Sequence, residues 1–525
     1  MSIGDISSVT ELWRALVCLH PKDNIALAKI ALSPGTILAG EPAGRAPARL
    51  TVQEPIPPGH KIALVDIEAG EPVHRYGETI GVASRAIRPG EHVHTHNLAL
   101  PPVRLQESSG FDISPVEPLP EDHRRTFLGY LRADGRVGTR NYIVVLPTVS
   151  CAAHVARAIA HHFGPDRLAG SPNVDGVIAL THDSGCSIRP GGPEYTWLQR
   201  TLAGIARHPN VGGCVLIGLG CEVNQLSELV ENYQLTSGTG NVPVGLVIQE
   251  LGGTARTIQA GIAAIERLLP VVNACQRQPQ PISGLTLALQ CGGSDSWSGV
   301  TANPLVGLVA DQVVRQGGTA VLAETPEIYG AEHLLTRRAV NQEVAARLLA
   351  HIRWWEAYTR QQGTAIDNNP TPGNKAGGLT NIVEKALGAV AKAGHTPLVE
   401  VYDYAEQIRA RGLVFMNTPG NDLVSVTGQV AGGCNLALFT TGRGTVVGFK
   451  PAPVIKIASN TAMYDHMRDD MDFNAGRGLE GASLEELAGE LLNLVIEIAS
   501  GQPSRSEMYG AGEAEFSPWR YGEMV

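Results

Sequence analysis

Short apolar runs separated by turn residues dominate residues 1–104. Gly- and Pro-containing turns divide these runs, as at residues 33–35, 57–59 and 88–90. Brief β-rich runs closed by such turns are typical of strands in a small sheet or barrel. We therefore predict a small, mostly-β domain with strands at residues 25–30, 50–52, 61–65, 79–83 and 92–98.

A different pattern begins near Phe127, where apolar runs alternate with amphipathic segments. Strands that alternate with helices indicate parallel sheets with helices on both faces. The fold class predicted for this part of the chain is α/β. The predicted strands cover residues 142–147, 215–217, 285–290, 320–323, 413–417 and 436–440, and the predicted helices cover 152–162, 225–233, 305–315 and 331–339.

Composition shifts mark the domain boundaries. Residues 105–125 combine Ser-Ser-Gly, prolines and acids, which is typical of a linker. Gln and Pro cluster again near residues 276–283. The predicted organisation is a β domain at 1–104, a linker at 105–125, and two Rossmann-like α/β subdomains at 126–280 and 281–525.

Length and charge limit the classes of protein to which this chain can belong. The chain has 525 residues and a formal net charge of −10, which disfavours nucleic acid and anionic membranes as partners. No apolar run reaches 18 residues, so we expect a cytoplasmic protein whose cysteines are thiols, ligands or catalytic groups. The G-x-G at residues 218–220, after the predicted strand at 215–217, lacks the third glycine of a G-x-G-x-x-G fingerprint, which argues against a nicotinamide dehydrogenase. No P-loop of the form G-x-x-x-x-G-K-[ST] occurs, which argues against an NTPase.

Four cysteines follow predicted strands directly or through a short turn. They are Cys151, Cys186, Cys221 and Cys291. In open α/β sheets the carboxyl ends of the strands form the crevice where ligands bind. A single cysteine is usually a small buried hydrophobe, but four at strand ends predict the rim of an active site.

Six loops carry a resemblance to the altronate and galactarate dehydratase family over essentially the whole length of the chain. They read HPKDN at 20–24, GYLRADGRVGTRN at 129–141, GLGCE at 218–222, CGGSD at 291–295 with SGVTANP at 298–304, NPTPGNKAGG at 369–378 and TTGRGT at 440–445. The resemblance implies an N-terminal SAF-type β domain, an α/β catalytic body, and loss of water from a sugar acid with divalent iron. The EHVHTHN segment at 91–97 resembles the altronate branch.

The resemblance implies a hydro-lyase that takes D-altronate to 2-keto-3-deoxy-D-gluconate, with Fe²⁺ or Mn²⁺ as cofactor and the sugar acid as its small-molecule partner. We also expect a homo-oligomer, most simply a dimer. Galactarate, another sugar acid, or the sulfolactate of a related lyase branch remain alternative substrates. The alternative outside enzymology is a sensor that binds a sugar acid without converting it.

Three histidines alternate at positions 92, 94 and 96, so on a strand their side chains would project from one face. Neutral imidazoles suit Fe²⁺ or Mn²⁺ in sites of mixed nitrogen and oxygen ligands. We predict His94 and His96 as metal ligands, with His20 from the first loop as a further ligand. A second hypothesis places a [4Fe–4S] cluster on Cys186, Cys221 and Cys291.

The remaining predicted site residues follow from the chemistry of dehydration, which needs a base for the α-proton, an acid for the leaving hydroxyl and cations for the carboxylate. The predicted catalytic residues are Glu324, Glu327, Lys375, Cys186 and Cys221. The predicted substrate-binding residues are Arg140, Asp295, Asn303 and Arg443.

Overall fold

The computed structural model describes residues 9–100, 103, 105, 113 and 115–522. The first domain is mostly β, as the sequence predicts, and consists of three small sheets with strand orders β1-β4-β5, β2-β3-β6-β9 and β10-β8-β7. Within the part of this domain that the structure describes, the single helix is α1 (Leu12–Ala15). Its strands are β1 (Val9–Glu11), β2 (Leu16–Val17), β3 (Ile25–Ala28), β4 (Ile37–Ala39), β5 (Arg49–Thr51), β6 (Lys61–Ala63), β7 (Pro72–Arg75), β8 (Glu78–Ala83), β9 (His92–Val93) and β10 (Leu98–Ala99).

One predicted strand of this domain is interrupted. The sequence predicts a strand over residues 92–98, but β9 ends at Val93 and the chain turns before β10. The side chain of Asn97 causes the turn, because its Oδ1 accepts from the backbone N of His94 at 2.9 Å and its Nδ2 donates to the carbonyl of His92 at 2.9 Å. Asparagine favours turns through such backbone contacts.

The predicted linker lies partly outside the described residues. From residue 115 onward it lies against the C-terminal part of the chain, where Leu119 donates its backbone N–H to the carbonyl of Arg315 at 2.8 Å. Val116 packs against the largest apolar core.

The second domain is built on a four-stranded parallel sheet of order β14-β13-β15-β16. Every residue of its two central strands, β13 and β15, is buried, as expected where helices cover both faces of a parallel sheet. Its strands are β11 (Thr126–Leu131), β12 (Val137–Gly138), β13 (Tyr142–Pro147), β14 (Gly176–Ala179), β15 (Val211–Gly218) and β16 (Val244–Val247). Its helices are α2 (Ala153–His161), α3 (Pro165–Leu168), α4 (Pro193–Ala206), α5 (Leu226–Tyr233) and α6 (Thr254–Asn273).

The C-terminal domain contains a seven-stranded parallel sheet of order β20-β21-β19-β18-β22-β23-β24. A further strand, β17, pairs with β11 of the second domain. The strands are β17 (Gln278–Pro281), β18 (Thr286–Cys291), β19 (Thr319–Leu322), β20 (Leu398–Tyr402), β21 (Gly412–Met416), β22 (Leu436–Thr441), β23 (Val454–Ala458) and β24 (Phe473–Asn474). The helices are α7 (Ala302–Arg315), α8 (His333–Thr336), α9 (Gln342–Gln361), α10 (Pro372–Ala376), α11 (Ile382–Val390), α12 (Asp422–Ala431), α13 (Thr461–His466), α14 (Leu484–Ala499) and α15 (Arg505–Met508).

The helix predicted at residues 331–339 is shorter than expected. Helix α8 covers only His333–Thr336, and the chain beyond it runs beside β20. Leu398 donates its backbone N–H to the carbonyl of Arg338, and Val340 donates to the carbonyl of Leu398, both at 3.0 Å. Hydrogen bonding to the sheet edge therefore replaces the last predicted turn of helix. Across the residues that the structure describes, no helix is long and apolar enough to span a membrane.

Candidate active site

The central strand of the larger sheet ends at a topological switch point. Strand β18 lies between β19 and β22, and the chain moves to one side of it first and to the other side later. Ligands of open α/β sheets bind at the carboxyl ends of strands at such points. The loop that follows β18, residues 292–298, therefore marks the candidate site.

Below this loop lies a buried cluster of charged side chains. The ammonium of Lys392 donates to the Cys291 sulfur at 2.6 Å and lies 3.5 Å from Glu324. The ammonium of Lys385 lies 2.6 Å from Glu327. All five side chains are buried, which is rare for charged groups unless they are paired.

Glu324 is the most constrained member of this cluster. Its backbone adopts a φ of +69°, in the left-handed region that non-glycine residues rarely occupy. Its backbone N–H donates to the hydroxyl of Thr418 at 2.9 Å, and its carboxyl group accepts from Gln290 at 2.6 Å. Strained backbone held by surrounding contacts is concentrated at functional sites, which supports a catalytic role for Glu324.

Burial raises the pKa values of two carboxyl groups here, one further than the other. Burial, followed by the charge of Glu327, raises the pKa of Glu324 to about 8. The same two causes raise the pKa of Asp422 to about 6. At neutral pH Glu324 is therefore protonated and Asp422 is ionised, so one can donate a proton and the other can accept one.

The first domain covers this site through a separate group of histidines. A ring nitrogen of each of His60, His92 and His94 lies within 4.8 Å of the other two. The Nδ1 atom of His60 is 2.9 Å from Nε2 of His92, and its Nε2 is 3.2 Å from the carbonyl of Ala376 in the C-terminal domain. Because a carbonyl only accepts, the proton of neutral His60 resides on Nε2, and its unprotonated Nδ1 faces Nε2 of His92.

The histidine group fits a divalent cation. The Nδ1 atom of His94 is buried without a hydrogen-bond partner, and a buried polar nitrogen is costly to leave unpaired. Burial, followed by nearby positive charge, lowers the pKa of His92 to about 3 and that of His94 to about 4. Both imidazoles are therefore neutral, the form that coordinates metals.

A second group with ligand spacing fits a cation less well. Cys291, Glu324 and Glu327 offer atoms within 4.8 Å of one another. However, Lys385 and Lys392 already place two ammonium groups against them. A further cation would be repelled there, so the histidine group is the better candidate metal centre.

The structure differs from the sequence prediction in the choice of ligands. His94 joins His60 and His92. The ring of His96 lies 5.4 Å from that of His92, but His96 is exposed and its nitrogens are not within 4.8 Å of those of all three other rings. His20 lies in another loop, where its Nδ1 accepts from the backbone of Lys22. The turn stabilised by Asn97 is the physical reason, because it ends the strand on which His94 and His96 would share a face. His60 was missed because a single histidine after Pro57-Pro58-Gly59 carries no ligand spacing of its own.

Two predicted cations lie at the rim of the site. Lys375 on α10 and Arg443 after β22 are exposed, and within the described residues no side-chain partner binds either of them. Both of their loops abut the 292–298 loop: Ser296 donates to the carbonyl of Gly377, and Arg443 donates its backbone N–H to the carbonyl of Gly293. These two free cations are suited to bind the carboxylate of a substrate.

Three predicted substrate-binding residues have other partners. Arg140 donates to Glu507 and to the carbonyls of Thr139, Ile498 and Gln502, so it joins the second domain to the C-terminal segment.

Asp295 and Asn303 are likewise engaged. The Asp295 carboxylate accepts from Ser298, Ser459 and Asn460 and thereby fixes the 292–298 loop. Asn303 bonds Gly388 and Thr440. Their side chains therefore stabilise the loops of the site through contacts within the protein.

Cys186 and Cys221 lie apart from the charged cluster. They follow β14 and β15 of the four-stranded sheet and are exposed, whereas Cys291 ends β18 and is buried. The predicted cluster on Cys186, Cys221 and Cys291 would therefore need ligands from two different sheets. Sequence reasoning also missed Lys385 and Lys392, although two lysines in the apolar stretch 382–393 are an unusual signal.

Comparisons with known proteins match all three domains. Family models described as "Altronate/galactarate dehydratase SAF domain", "D-galactarate dehydratase/Altronate hydrolase, second domain" and "D-galactarate/Altronate dehydratase, C-terminal" match residues 14–101, 129–273 and 282–524. The chain is 36% identical to an altronate dehydratase of Bacillus subtilis (strain 168), over 93% of this chain and 96% of that protein. It is 40% identical to a galactarate dehydratase (L-threo-forming) of Escherichia coli (strain K12), over 92% of each, and 35% identical to an altronate dehydratase of the same strain, over 93% and 96%.

Proposed function

The chain belongs to the altronate/galactarate dehydratase family and is a hydro-lyase, and we propose that its substrate is D-altronate, which it converts to 2-keto-3-deoxy-D-gluconate with Fe²⁺ or Mn²⁺ as cofactor. The proposal of a metal cofactor rests on the group of three neutral imidazoles, in which one His94 nitrogen has no hydrogen-bond partner. The proposal of D-altronate as the substrate rests on the segment at residues 91–97, which resembles the altronate branch of the family. We also propose that the enzyme works in the cytoplasm.

Binding of the substrate falls to the two free cations at the rim. The loops that carry Lys375 and Arg443 both hydrogen-bond to the 292–298 loop, which directly follows Cys291 of the buried cluster. Lys375 is exposed, and because burial is what makes a lysine suitable as a base, its position favours anion binding. The guanidinium of Arg443 can hold a carboxylate with two parallel hydrogen bonds.

The two carboxyl groups whose raised pKa values differ, Asp422 and Glu324, would transfer the protons. Asp422, ionised near neutral pH, would take the proton from the carbon next to the carboxylate. Glu324, protonated at that pH, would give its proton to the neighbouring hydroxyl as the carbon–oxygen bond breaks, and the enol left behind becomes the 2-keto acid. Lys392 is a positioning residue that holds Glu324 and Cys291 together.

His60, His92 and His94 would hold the divalent ion. When bound, it supplies Lewis acidity for the negative charge that develops on the carboxylate oxygens. His60 is kept in the required tautomer by the carbonyl of Ala376, one residue after Lys375. His60 and Lys375 thus meet at one short segment of the C-terminal domain.

Galactarate is the second candidate substrate. The 40% identity to the galactarate dehydratase favours it, as does the presence of two free cations, because galactarate carries a carboxylate at each end. The choice between these acids rests on measured turnover.

The test is a screen of sugar acids with anaerobic, Fe²⁺-loaded protein, in which formation of 2-keto acid is followed. We expect the highest kcat/KM with D-altronate. A higher kcat/KM with galactarate would replace the proposed substrate. Binding of sugar acids without any 2-keto acid would contradict dehydration and support a sensor.

A further inference from the structure

All three exposed cysteines lie at one edge of the second domain. Cys151, Cys186 and Cys221 follow β13, β14 and β15, and the other five cysteines are buried or half-buried. Cysteine is among the most buried residue types, so three exposed thiols on neighbouring strands are unexpected from packing alone. Strand β13 is also the switch point of this sheet, because β14 and β15 lie on opposite sides of it.

Backbone hydrogen bonds tie the three cysteine loops together. Ser150, next to Cys151, donates its backbone N–H to the carbonyl of Ser184 at 2.9 Å. Val223 donates to the carbonyl of Cys186 at 3.0 Å. The loop of Cys186 is therefore hydrogen-bonded to the loops of both other cysteines. We call the three connected loops that carry Cys151, Cys186 and Cys221 the cysteine frame.

Two glycines fix the direction of this frame. Gly185 and Gly220 each precede a cysteine and adopt φ values of +99° and +125°. A Cβ on Gly185 would lie 2.3 Å from the carbonyl oxygen of Thr148, so no other residue fits there without movement. The loops are thus shaped to carry Cys186 and Cys221 outward.

Buried Glu222 holds the third loop in place. Its carboxylate accepts from the backbone of Leu219 at 3.0 Å, the backbone of Gly220 at 2.6 Å and the hydroxyl of Thr148 at 2.7 Å. The hydrogen bonds of this carboxylate are all made within the three loops, so it does not compete with the exposed thiols for a ligand.

We propose that Cys151, Cys186 and Cys221 hold an iron–sulfur cluster of the [4Fe–4S] type. Thiolates are the ligands that such clusters take. A single tetrahedral ion would need sulfur atoms roughly 3.8 Å apart, given a metal–sulfur distance of about 2.3 Å. Among the described residues, these three sulfur atoms do not all lie within 4.8 Å of one another, so they do not form a ready site for a single ion.

The cluster would leave one iron without a cysteine ligand. That iron would be open to an oxygen donor such as the hydroxyl or carboxylate of a hydroxy acid. The site uses no residue of the histidine group or of the buried charged cluster, so it stands independently of the proposed substrate and of the mononuclear metal.

The test is reconstitution of the whole chain with Fe²⁺ and sulfide under anaerobic conditions, followed by desalting. We expect about four acid-labile sulfides per chain, about four irons besides any iron held by the histidine group, and broad visible absorption, as for one [4Fe–4S] cluster. Cys151→Ser, Cys186→Ser and Cys221→Ser should each lose most of the sulfide and absorption. Cys275→Ser, in the same domain but outside the frame, and His94→Ala should both retain them.

Two results would overturn the cluster. One is wild-type protein that retains no acid-labile sulfide, including protein that binds a single ion without sulfide. The other is retention of the absorption in all three frame variants, or its equal loss in Cys275→Ser, since either would place the iron elsewhere. Circular dichroism of each variant establishes that its fold is intact.

Discussion

Lys61 in the first domain and Glu384 in the C-terminal domain form an ion pair of 2.9 Å, and neither side chain is exposed to solvent. Arg75 joins the same carboxylate, and Lys61 also donates to the carbonyl of Gly378 at 2.6 Å. Because His60 precedes Lys61, this interaction holds the histidine group against the C-terminal domain.

Loss of the Glu384 charge should destabilise the protein strongly. Glu384→Gln leaves the buried charges of Lys61 and Arg75 uncompensated, and breaking a buried pair in this way costs about 3–5 kcal/mol. We expect that decrease in the free energy of unfolding in urea. Glu490→Gln, which removes an exposed pair with Arg477, should cost less than about 1 kcal/mol. Equal effects of the two variants would show that the interdomain pair contributes little.

The stability difference should disappear in acid. Burial alone would raise the pKa of Glu384, but the charges of Lys61 and Arg75 outweigh it and lower that pKa to about 2. The unfolded chain has a glutamate pKa of about 4.3. The carboxylate therefore stabilises the fold fully above about pH 4.3 and loses this contribution as the pH falls toward 2. Urea unfolding of wild type and Glu384→Gln should converge over that window, and a constant difference would contradict the lowered pKa.

Local patterns predicted the fold well and the site in part. Strand β13 has the predicted bounds, Tyr142–Pro147, because a buried parallel strand is a local apolar run. The role of Arg140 was not predictable, because its partner Glu507 lies 367 residues away. Likewise His60 meets its neighbours only after β6 and β9 pair.

Removal of the acid should change both the rate and its pH dependence. Glu324→Gln cannot donate a proton, and loss of a general acid typically lowers kcat by about 10²–10⁴-fold. With a pKa of about 8, Glu324 is protonated below that pH, so wild-type kcat should fall as the pH rises above about 8. The variant should lack this fall. Glu332→Gln, at another buried glutamate whose pKa burial raises, should keep the wild-type profile, and a wild-type profile in Glu324→Gln would exclude Glu324 as the acid.

Arg443 should act on binding of the carboxylate. Arg443→Gln removes a charged hydrogen-bond donor, and such bonds contribute about 1.5–3 kcal/mol, so we expect KM to rise about 10- to 150-fold. Arg360→Gln, at an exposed position on α9, should leave KM unchanged. Steady-state kinetics measure both, and an unchanged KM in Arg443→Gln would remove this residue from the substrate site.

Titration of metal-free protein with Mn²⁺ tests most directly whether the first domain supplies the metal ligands. We do not expect Mn²⁺ to bind to Cys151, Cys186 and Cys221, because this hard cation binds soft thiolates poorly. We predict that His94→Ala, His60→Ala and His92→Ala each weaken Mn²⁺ binding by at least about 10-fold, since even indirect supports of metal ligands change affinity by that much. His74→Ala, in the same domain but outside the histidine group, should bind as wild type does. Wild-type affinity in all three variants of the histidine group would contradict a metal centre in the first domain.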